Sequence, residues 1–268
     1  MSGDAIGIFD SGIGGLTVLH AIARLLPRER LIYLGDTGRG PYGTKSAETV
    51  TRYAFENTDF LTEKGSKLVV VACNSASAVA LDALRTRCGV PVVGVVEPGA
   101  RAAAARTRNG KVGVIGTEAT IASGAYSRAL RALRPDVEVY TRACPLFVPL
   151  AEEGWVDNEV ARGTAALYLA SLAASGIDTL ILGCTHYPLL ARTIGDFFGA
   201  DVALIDSAEA TAVAVQNEIG ARGIAATDGS AGTVGGASFF VTDLPDRFVR
   251  VGQRFLGERV ESAVRIER

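Results

Sequence analysis

Leu68-Val69-Val70-Val71-Ala72-Cys73-Asn74-Ser75 is a short, unbroken apolar run that ends in a cysteine followed by two small polar residues. A run of this length without polar alternation reads as a parallel strand buried on both faces. The Asn-Ser pair reads as the start of a helix. The same succession returns as Leu180-Ile181-Leu182-Gly183-Cys184-Thr185-His186. A second pair keeps nearly the same spacing: Ile6-Gly7-Ile8-Phe9-Asp10-Ser11 and Val112-Gly113-Val114-Ile115-Gly116-Thr117. Any two α/β halves share strand patterns, so strands alone carry little weight. A thiol just past the strand in both copies points to two similar α/β units.

Outward from these runs the same rhythm continues. Buried strands are expected at residues 6–9, 31–34, 68–72, 92–95, 112–115, 137–140, 180–182 and 202–205. Between them lie stretches with Ala, Leu, Arg and Glu at helical spacing, for example 16–26, 47–64 and 76–87. Alternating strands and helices imply mainly parallel sheets covered by helices. In such sheets ligands bind beyond the carboxyl ends of the strands. Asp10-Ser11, Asp36, Cys73-Asn74-Ser75, Thr117 and Cys184-Thr185-His186 all follow apolar runs. If the two units face each other, the two cysteines flank one ligand.

Composition narrows the function classes. Of 268 residues, 48% are hydrophobic and 21% charged, which supplies a packed core and argues against disorder. A net charge of −2 gives no reason to expect nucleic acid or an anionic membrane as partner. No apolar run approaches the roughly 20 residues a membrane helix needs, and no basic-then-apolar signal precedes Ile6. A cytoplasmic protein is expected. The four cysteines, at 73, 88, 144 and 184, form no CxxC pair and read as free thiols. Two histidines are too few for a His-rich metal site.

Removing a proton from one face of a carbon and returning one to the other requires two acid/base groups on opposite sides. A free thiol titrates near about 8.5, and its neighbours can lower that, so a thiol and a thiolate suit the task near neutral pH. Free cysteine is often only a small buried hydrophobe. Cys88 and Cys144 are assigned that role, whereas Cys73 and Cys184 follow strands and precede polar residues. Asn74, Ser75 and Thr185 offer donors to a carboxylate, and equally to a helix start. His186 is placed to exchange a proton with Cys184, and His20, in an apolar helical stretch, reads as structural. Asp10, and Glu152 or Glu153, can tune a thiol or hold an ammonium group. Gly12-Ile13-Gly14-Gly15 is only a partial dinucleotide fingerprint, because Thr17 stands at the third glycine. It reads as a tight turn close to a small anion. Gly40-Pro41-Tyr42-Gly43 reads as a turn.

Five blocks carry a family resemblance: DSGIGGLTVL (Asp10–Leu19), GDTGRGPYG (Gly35–Gly43), ACNSASA (Ala72–Ala78), CPLFVPLAEEGW (Cys144–Trp155) and LGCTHYPLL (Leu182–Leu190). Together with FFVTDLPDRFVRVGQRFLG (Phe239–Gly257), they resemble the glutamate racemase family of the aspartate/glutamate racemase superfamily. The resemblance implies two pseudo-symmetric, flavodoxin-like α/β domains with the active site at their interface. The first comprises 1–97 with 208–268 and the second 98–207. It implies interconversion of L- and D-glutamate with no cofactor and no metal, supplying D-glutamate for peptidoglycan, in a homodimer. Cys73 matches the base acting on the D-enantiomer and Cys184 the base acting on the L-enantiomer. Asp10 matches the acid assisting Cys73, His186 the residue assisting Cys184, and Glu152 the acidic residue of its block. Asp36 matches a further acid near the site. Ser11, Pro41, Tyr42, Gly43, Asn74, Ser75, Thr117, Thr120 and Thr185 match substrate contacts. Ser75 stands where many members have threonine, which keeps the hydroxyl.

Three other readings compete. A superfamily racemase for aspartate or a hydantoin shares the thiol chemistry and differs in its pocket. A cysteine hydrolase with His186 as base leaves one strand-end thiol unexplained. A two-lobed binding protein needs no thiol pair.

Overall fold

The computed structural model describes residues 4–226, 236–257 and 260–267. The outer ends of the expected first domain, and its stretches 227–235 and 258–259, lie outside the described residues. The chain opens with β1 (Ala5–Asp10), α1 (Leu16–Leu25), β2 (Arg30–Gly35), α2 (Ala47–Glu63), β3 (Ser66–Val71), α3 (Asn74–Arg87), β4 (Val92–Gly94) and α4 (Val96–Arg106). It continues with β5 (Lys111–Gly116), α5 (Glu118–Ala122), α6 (Ala125–Leu133), β6 (Glu138–Ala143), α7 (Phe147–Glu153), α8 (Glu159–Ala174), β7 (Thr179–Gly183) and α9 (Ala191–Phe198). The remainder is β8 (Ala203–Asp206), α10 (Ser207–Arg222), β9 (Ser238–Val241), α11 (Pro245–Leu256) and β10 (Val264–Arg265).

Two sheets result, with every pairing parallel: β10-β9-β2-β1-β3-β4 and β6-β5-β7-β8. The repeat read from the sequence is present as topology. Within the larger sheet the order β2-β1-β3-β4 matches β6-β5-β7-β8, so β1 corresponds to β5 and β3 to β7. In both, the chain winds first to one side of the founding strand and then to the other. That reversal leaves a crevice at the carboxyl ends of β1 and β3, and of β5 and β7, where an open α/β sheet takes its ligands.

The strands at 6–9, 31–34, 68–72 and 112–115 are buried as their apolar runs require. The stretch at 137–140 differs. It starts β6, an edge strand in which Glu138, Arg142 and their neighbours are exposed or half-buried, because only one side of the strand has a partner. β9 and β10, which no expected strand covers, extend the first sheet from the far end of the chain. Helix α2 starts where Ser46 accepts a hydrogen bond from Thr49 N at 3.3 Å. Helix α3 begins at Asn74, with Cys73 as its cap residue. One apolar cluster runs from Ile6, Leu16 and Val70 through Phe248 and Phe255 to Phe147, Cys184 and Tyr187, so both sheets share a core. Full burial of a side chain such as Phe248 contributes about 1.5–3 kcal/mol.

Candidate active site

The two strand-end cysteines come together. Cys73, at the end of β3, and Cys184, at the end of β7, line one small cavity with Ser11, Pro41, Gly43, Asn74, Ser75, Thr117, Val148, Thr185 and His186. Its volume is about 20 Å³, little more than one water molecule needs, so the site is nearly closed. Roomier hollows lie against the outer helices, between α3, α4 and α6 and between α4 and α10, but neither contains a thiol. A vestibule of about 380 Å³ shares Ser11, Pro41, Val148 and His186 with the cavity and adds Thr37, Glu152 and Arg247.

The two thiols stand in different electrostatic surroundings. Burial pushes the Cys73 thiol up to about 12, and the nearby Asp10 charge adds to the rise. Amide and hydroxyl donors from Ala76 and Ser11 act against it. Asp10 is itself fully buried, which lifts its carboxyl above the usual range, while the His186 charge opposes the lift. Its Oδ2 accepts from Gly12 N at 2.9 Å, and its Oδ1 accepts a long bond from Thr185 Oγ1 at 3.5 Å.

Cys184 faces a cation instead. Its Sγ lies 3.9 Å from His186 Nδ1, and His186 Nε2 lies 3.1 Å from Glu152 Oε1. Burial disfavours charge on His186, but hydrogen bonds to the Cys184 sulfur and the Glu152 carboxylate, with the Cys184 and Asp10 charges, push it up to about 10. The hydrogen bond from His186 holds Glu152 down at about 2, with Arg247 helping. An imidazolium therefore sits beside the Cys184 sulfur. The neighbouring Glu153 is exposed. Cys144 is buried and pushed up to about 12 by burial, in keeping with a structural role.

The donors gather at the N-terminus of α3. Asn74 Oδ1 accepts from Tyr126 OH at 2.6 Å, and Asn74 Nδ2 is buried with no hydrogen-bond partner among protein atoms. An unused buried donor on a cavity wall is costly unless a ligand takes it up. With the positive end of the helix dipole behind it, the site suits a carboxylate. Ser75 Oγ lies 2.9 Å from Thr117 Oγ1 and 3.3 Å from Thr120 Oγ1, joining the two repeats through hydroxyls. The corresponding end of β7 does not open an α-helix as expected. Tyr187–Leu190 form a 3₁₀ turn before α9, with Tyr187 N bonded to Cys184 O at 3.1 Å.

Close packing explains two glycines. A β-carbon on Gly14 would lie 2.2 Å from Thr185 Oγ1, so this turn makes room for site side chains, where the sequence suggested room for an anion. A β-carbon on Gly43 would lie 2.6 Å from Thr117 Cβ, where the two halves meet.

Several expected residues stand behind the cavity wall. Asp36 is fully buried and accepts from Arg39 Nε at 2.8 Å, from Thr242 Oγ1 at 2.9 Å and from Tyr42 OH. Tyr42 also accepts from Asn57 Nδ2 at 3.0 Å. Both therefore brace the Pro41–Gly43 wall and do not line the cavity, and Thr120 likewise stands behind Ser75 and Thr117. Sequence reasoning did not single out Tyr126, which holds Asn74, or Val148, which walls the cavity. Nor did it single out Arg247, bonded to Glu152 Oε2 at 2.9 Å, or Phe255, packed edge-on against His186 at 5.2 Å. Arg247 and Phe255 lie in the C-terminal block already noted, but nothing in that block says which side chains reach the site. Among the described residues no group of three or more His, Cys, Asp or Glu side chains is arranged to hold a metal ion, and no helix is long and apolar enough to cross a membrane.

Residues 6–215 match the family model described as Asp/Glu/Hydantoin racemase. The chain is 59% identical over 257 residues to a protein of Geobacter metallireducens named glutamate racemase, covering 96% of this chain and 94% of that one. It superposes on the crystal structure of glutamate racemase isoform RacE1 from Bacillus anthracis with a TM-score of 0.93 and 40% identity, covering 100% and 98% of the two chains. A glutamate racemase from Francisella tularensis, solved in complex with D-glutamate, gives a TM-score of 0.91 at 35% identity, covering 100% and 98%.

Proposed function

The chain belongs to the Asp/Glu/Hydantoin racemase family, and from that premise we propose that it interconverts L- and D-glutamate, without a cofactor, by proton transfer between the substrate and the thiols of Cys73 and Cys184. One observation carries the reading: two buried thiols, at the ends of topologically equivalent strands, line one small cavity. Glutamate is favoured over aspartate or a hydantoin because relatives so named are similar over nearly the whole chain.

The substrate carboxylate takes up the free Asn74 Nδ2 at the start of α3, with the hydroxyls of Ser75, Thr117 and Thr185 nearby. Ser11, Pro41 and Gly43 complete the cavity lining. Asp36, Tyr42 and Thr120 act through these walls. For L-glutamate, the Cys184 thiolate beside the His186 imidazolium removes the α-proton and becomes a thiol. The Cys73 thiol, kept protonated by burial and by Asp10, delivers its proton to the other face and becomes the thiolate. The substrate's charge is unchanged, and the two sulfurs exchange roles. From D-glutamate the transfers reverse, with Asp10 beside Cys73 and Glu152 behind His186. Excluding water from so small a cavity strengthens the polar contacts to the developing carbanion.

In this reading residues 1–97 with 208–268 form one domain and 98–207 the other. The protein works in the cytoplasm as a homodimer, and its product feeds peptidoglycan synthesis. Circular dichroism of L-glutamate and, separately, L-aspartate, incubated with dialysed protein, reductant and chelator, tests the proposal. Loss of the glutamate signal alone supports it, and C73A and C184A should each abolish that loss. Loss of the aspartate signal alone moves the substrate. No change from folded protein with free thiols refutes it.

A further inference from the structure

Glu152 is held from two directions. Its Oε1 faces His186 Nε2 at 3.1 Å, and its Oε2 accepts from Arg247 Nη2 at 2.9 Å. Its backbone carbonyl accepts from Arg254 Nη1. Glu152 lies on α7 and His186 follows β7, both beside the four-stranded sheet. Both arginines lie on α11, which packs on α1 beside the six-stranded sheet. Phe248, Val251 and Phe255 bury the apolar face of α11, and Phe255 also packs edge-on against the His186 ring. One rigid helix thus grips the outermost member of the Cys184–His186–Glu152 series across the vestibule.

Glu152 needs such a hold. Its side chain is 23% exposed at the vestibule, where water competes for both oxygens and a free glutamate samples several rotamers. Arg247 is 42% exposed, yet its guanidinium is fixed on one oxygen and leaves the other for the imidazole. The remaining charges facing His186 are those of Cys184 and Asp10. Thr185, Gly14 and Phe255 complete its surroundings without charge.

We infer that Arg247 is a positioning residue for the racemisation site: from α11 it holds the Glu152 carboxylate against His186 and so keeps the imidazole aimed at the Cys184 sulfur. The inference rests on the proposed two-thiol reading. It makes α11 part of the Cys184 half of the machinery, although the helix comes from the far end of the chain.

The test substitutes Arg247→Met, which keeps the apolar stem and removes the charged head. Losing one charge-assisted bond should lower kcat/KM roughly tenfold. The fall must be equal for L- and D-glutamate, because the equilibrium constant between enantiomers is one. The alkaline limb of the pH profile should move to lower pH, since His186 loses the fixed carboxylate that helps keep it charged. NMR titration reads the same shift without turnover, because the chain has only two histidines. Arg247→Lys should restore part of both effects. Adding R247M to E152Q should cost little more than E152Q alone. If R247M unfolds, R247Q serves in the same comparisons. A parent protein that does not racemise glutamate would sink the two-thiol reading. An active parent with unshifted His186 titration in R247M, or full additivity with E152Q, would overturn the role of Arg247.

Discussion

Replacing Gly14 with alanine puts a methyl group inside the catalytic arrangement. The new β-carbon would stand 2.2 Å from Thr185 Oγ1, 2.5 Å from His186 Nδ1 and 2.6 Å from His186 Cε1. Ordinary contacts begin near 3.4 Å, so the Thr185 hydroxyl must retreat by about 1.2 Å in a close-packed interior. Neither neighbour yields easily. Thr185 is β-branched, and the His186 ring is fixed by Glu152 on one side and Phe255 on the other. Gly14 does not occupy the left-handed region, so the penalty is steric and not conformational. Overpacking of this kind costs about 1–3 kcal/mol of stability, or roughly 2–4 °C of Tm per kcal/mol in a chain approaching this size. The chemistry should suffer more: displacing a reacting group by about 1 Å lowers the rate on the order of 10²-fold. Racemisation followed by circular dichroism, with thermal unfolding on the same samples, separates the two effects. A G14A protein with kcat/KM within about threefold of the parent would mean that Thr185 and His186 do not act from these positions.

Three further outcomes follow from the same geometry. Tyr126→Phe removes the donor to Asn74 Oδ1, which should cost about 1–3 kcal/mol of stability and raise KM several-fold by freeing the amide; an unchanged KM would argue that Asn74 does not hold the substrate. The Glu152–His186 pair should also shape stability against pH. The carboxylate, lowered from 4.5 to about 2, contributes above its unfolded value, and that contribution is lost as pH falls through about 2. The imidazolium, raised from 6.5 to about 10, contributes fully below 6.5, and that contribution is lost as pH rises through about 10. The parent's advantage over E152Q in urea midpoint should therefore be greatest between about pH 4.5 and 6.5 and shrink on either side, and a difference flat across pH would refute the pairing. Brief iodoacetamide treatment near neutral pH should label Cys184 ahead of Cys73, because a cation faces the one sulfur while burial and Asp10 oppose charge on the other; peptide mass spectrometry showing the reverse order would contradict the different surroundings of the two sulfurs.

Much of this was legible in the chain. The apolar runs are short and continuous and alternate with helical stretches, the pattern of buried parallel strands. The paired thiols identified both founding repeats and the sheet edge at which chemistry is proposed. Periodicity spoke less clearly where burial is one-sided. β6 looked like a core strand because Val137 and Val139 stand in its apolar run, yet it is an edge. β10, of two residues, gave no pattern to read, and the short run Phe239–Val241 of β9 stands in the C-terminal block, apart from the strand–helix alternation.

By itself the sequence determined the α/β class, the duplicated strand–thiol unit and the pair of cysteines on which the chemistry is proposed to turn. These depend on local order along the chain: apolar runs make strands, and a residue just past a strand lies at the sheet's carboxyl edge. Only the tertiary structure decided that Glu152 and not Glu153 meets His186, that Asp36 and Tyr42 brace a wall, and that Tyr126 and Arg247 belong to the site. These contacts join residues far apart in sequence. Adjacent glutamates differ in the direction each points from its helix, and a buried carboxylate's role depends on which donors surround it. Both are properties of the packed chain, and no local pattern encodes them.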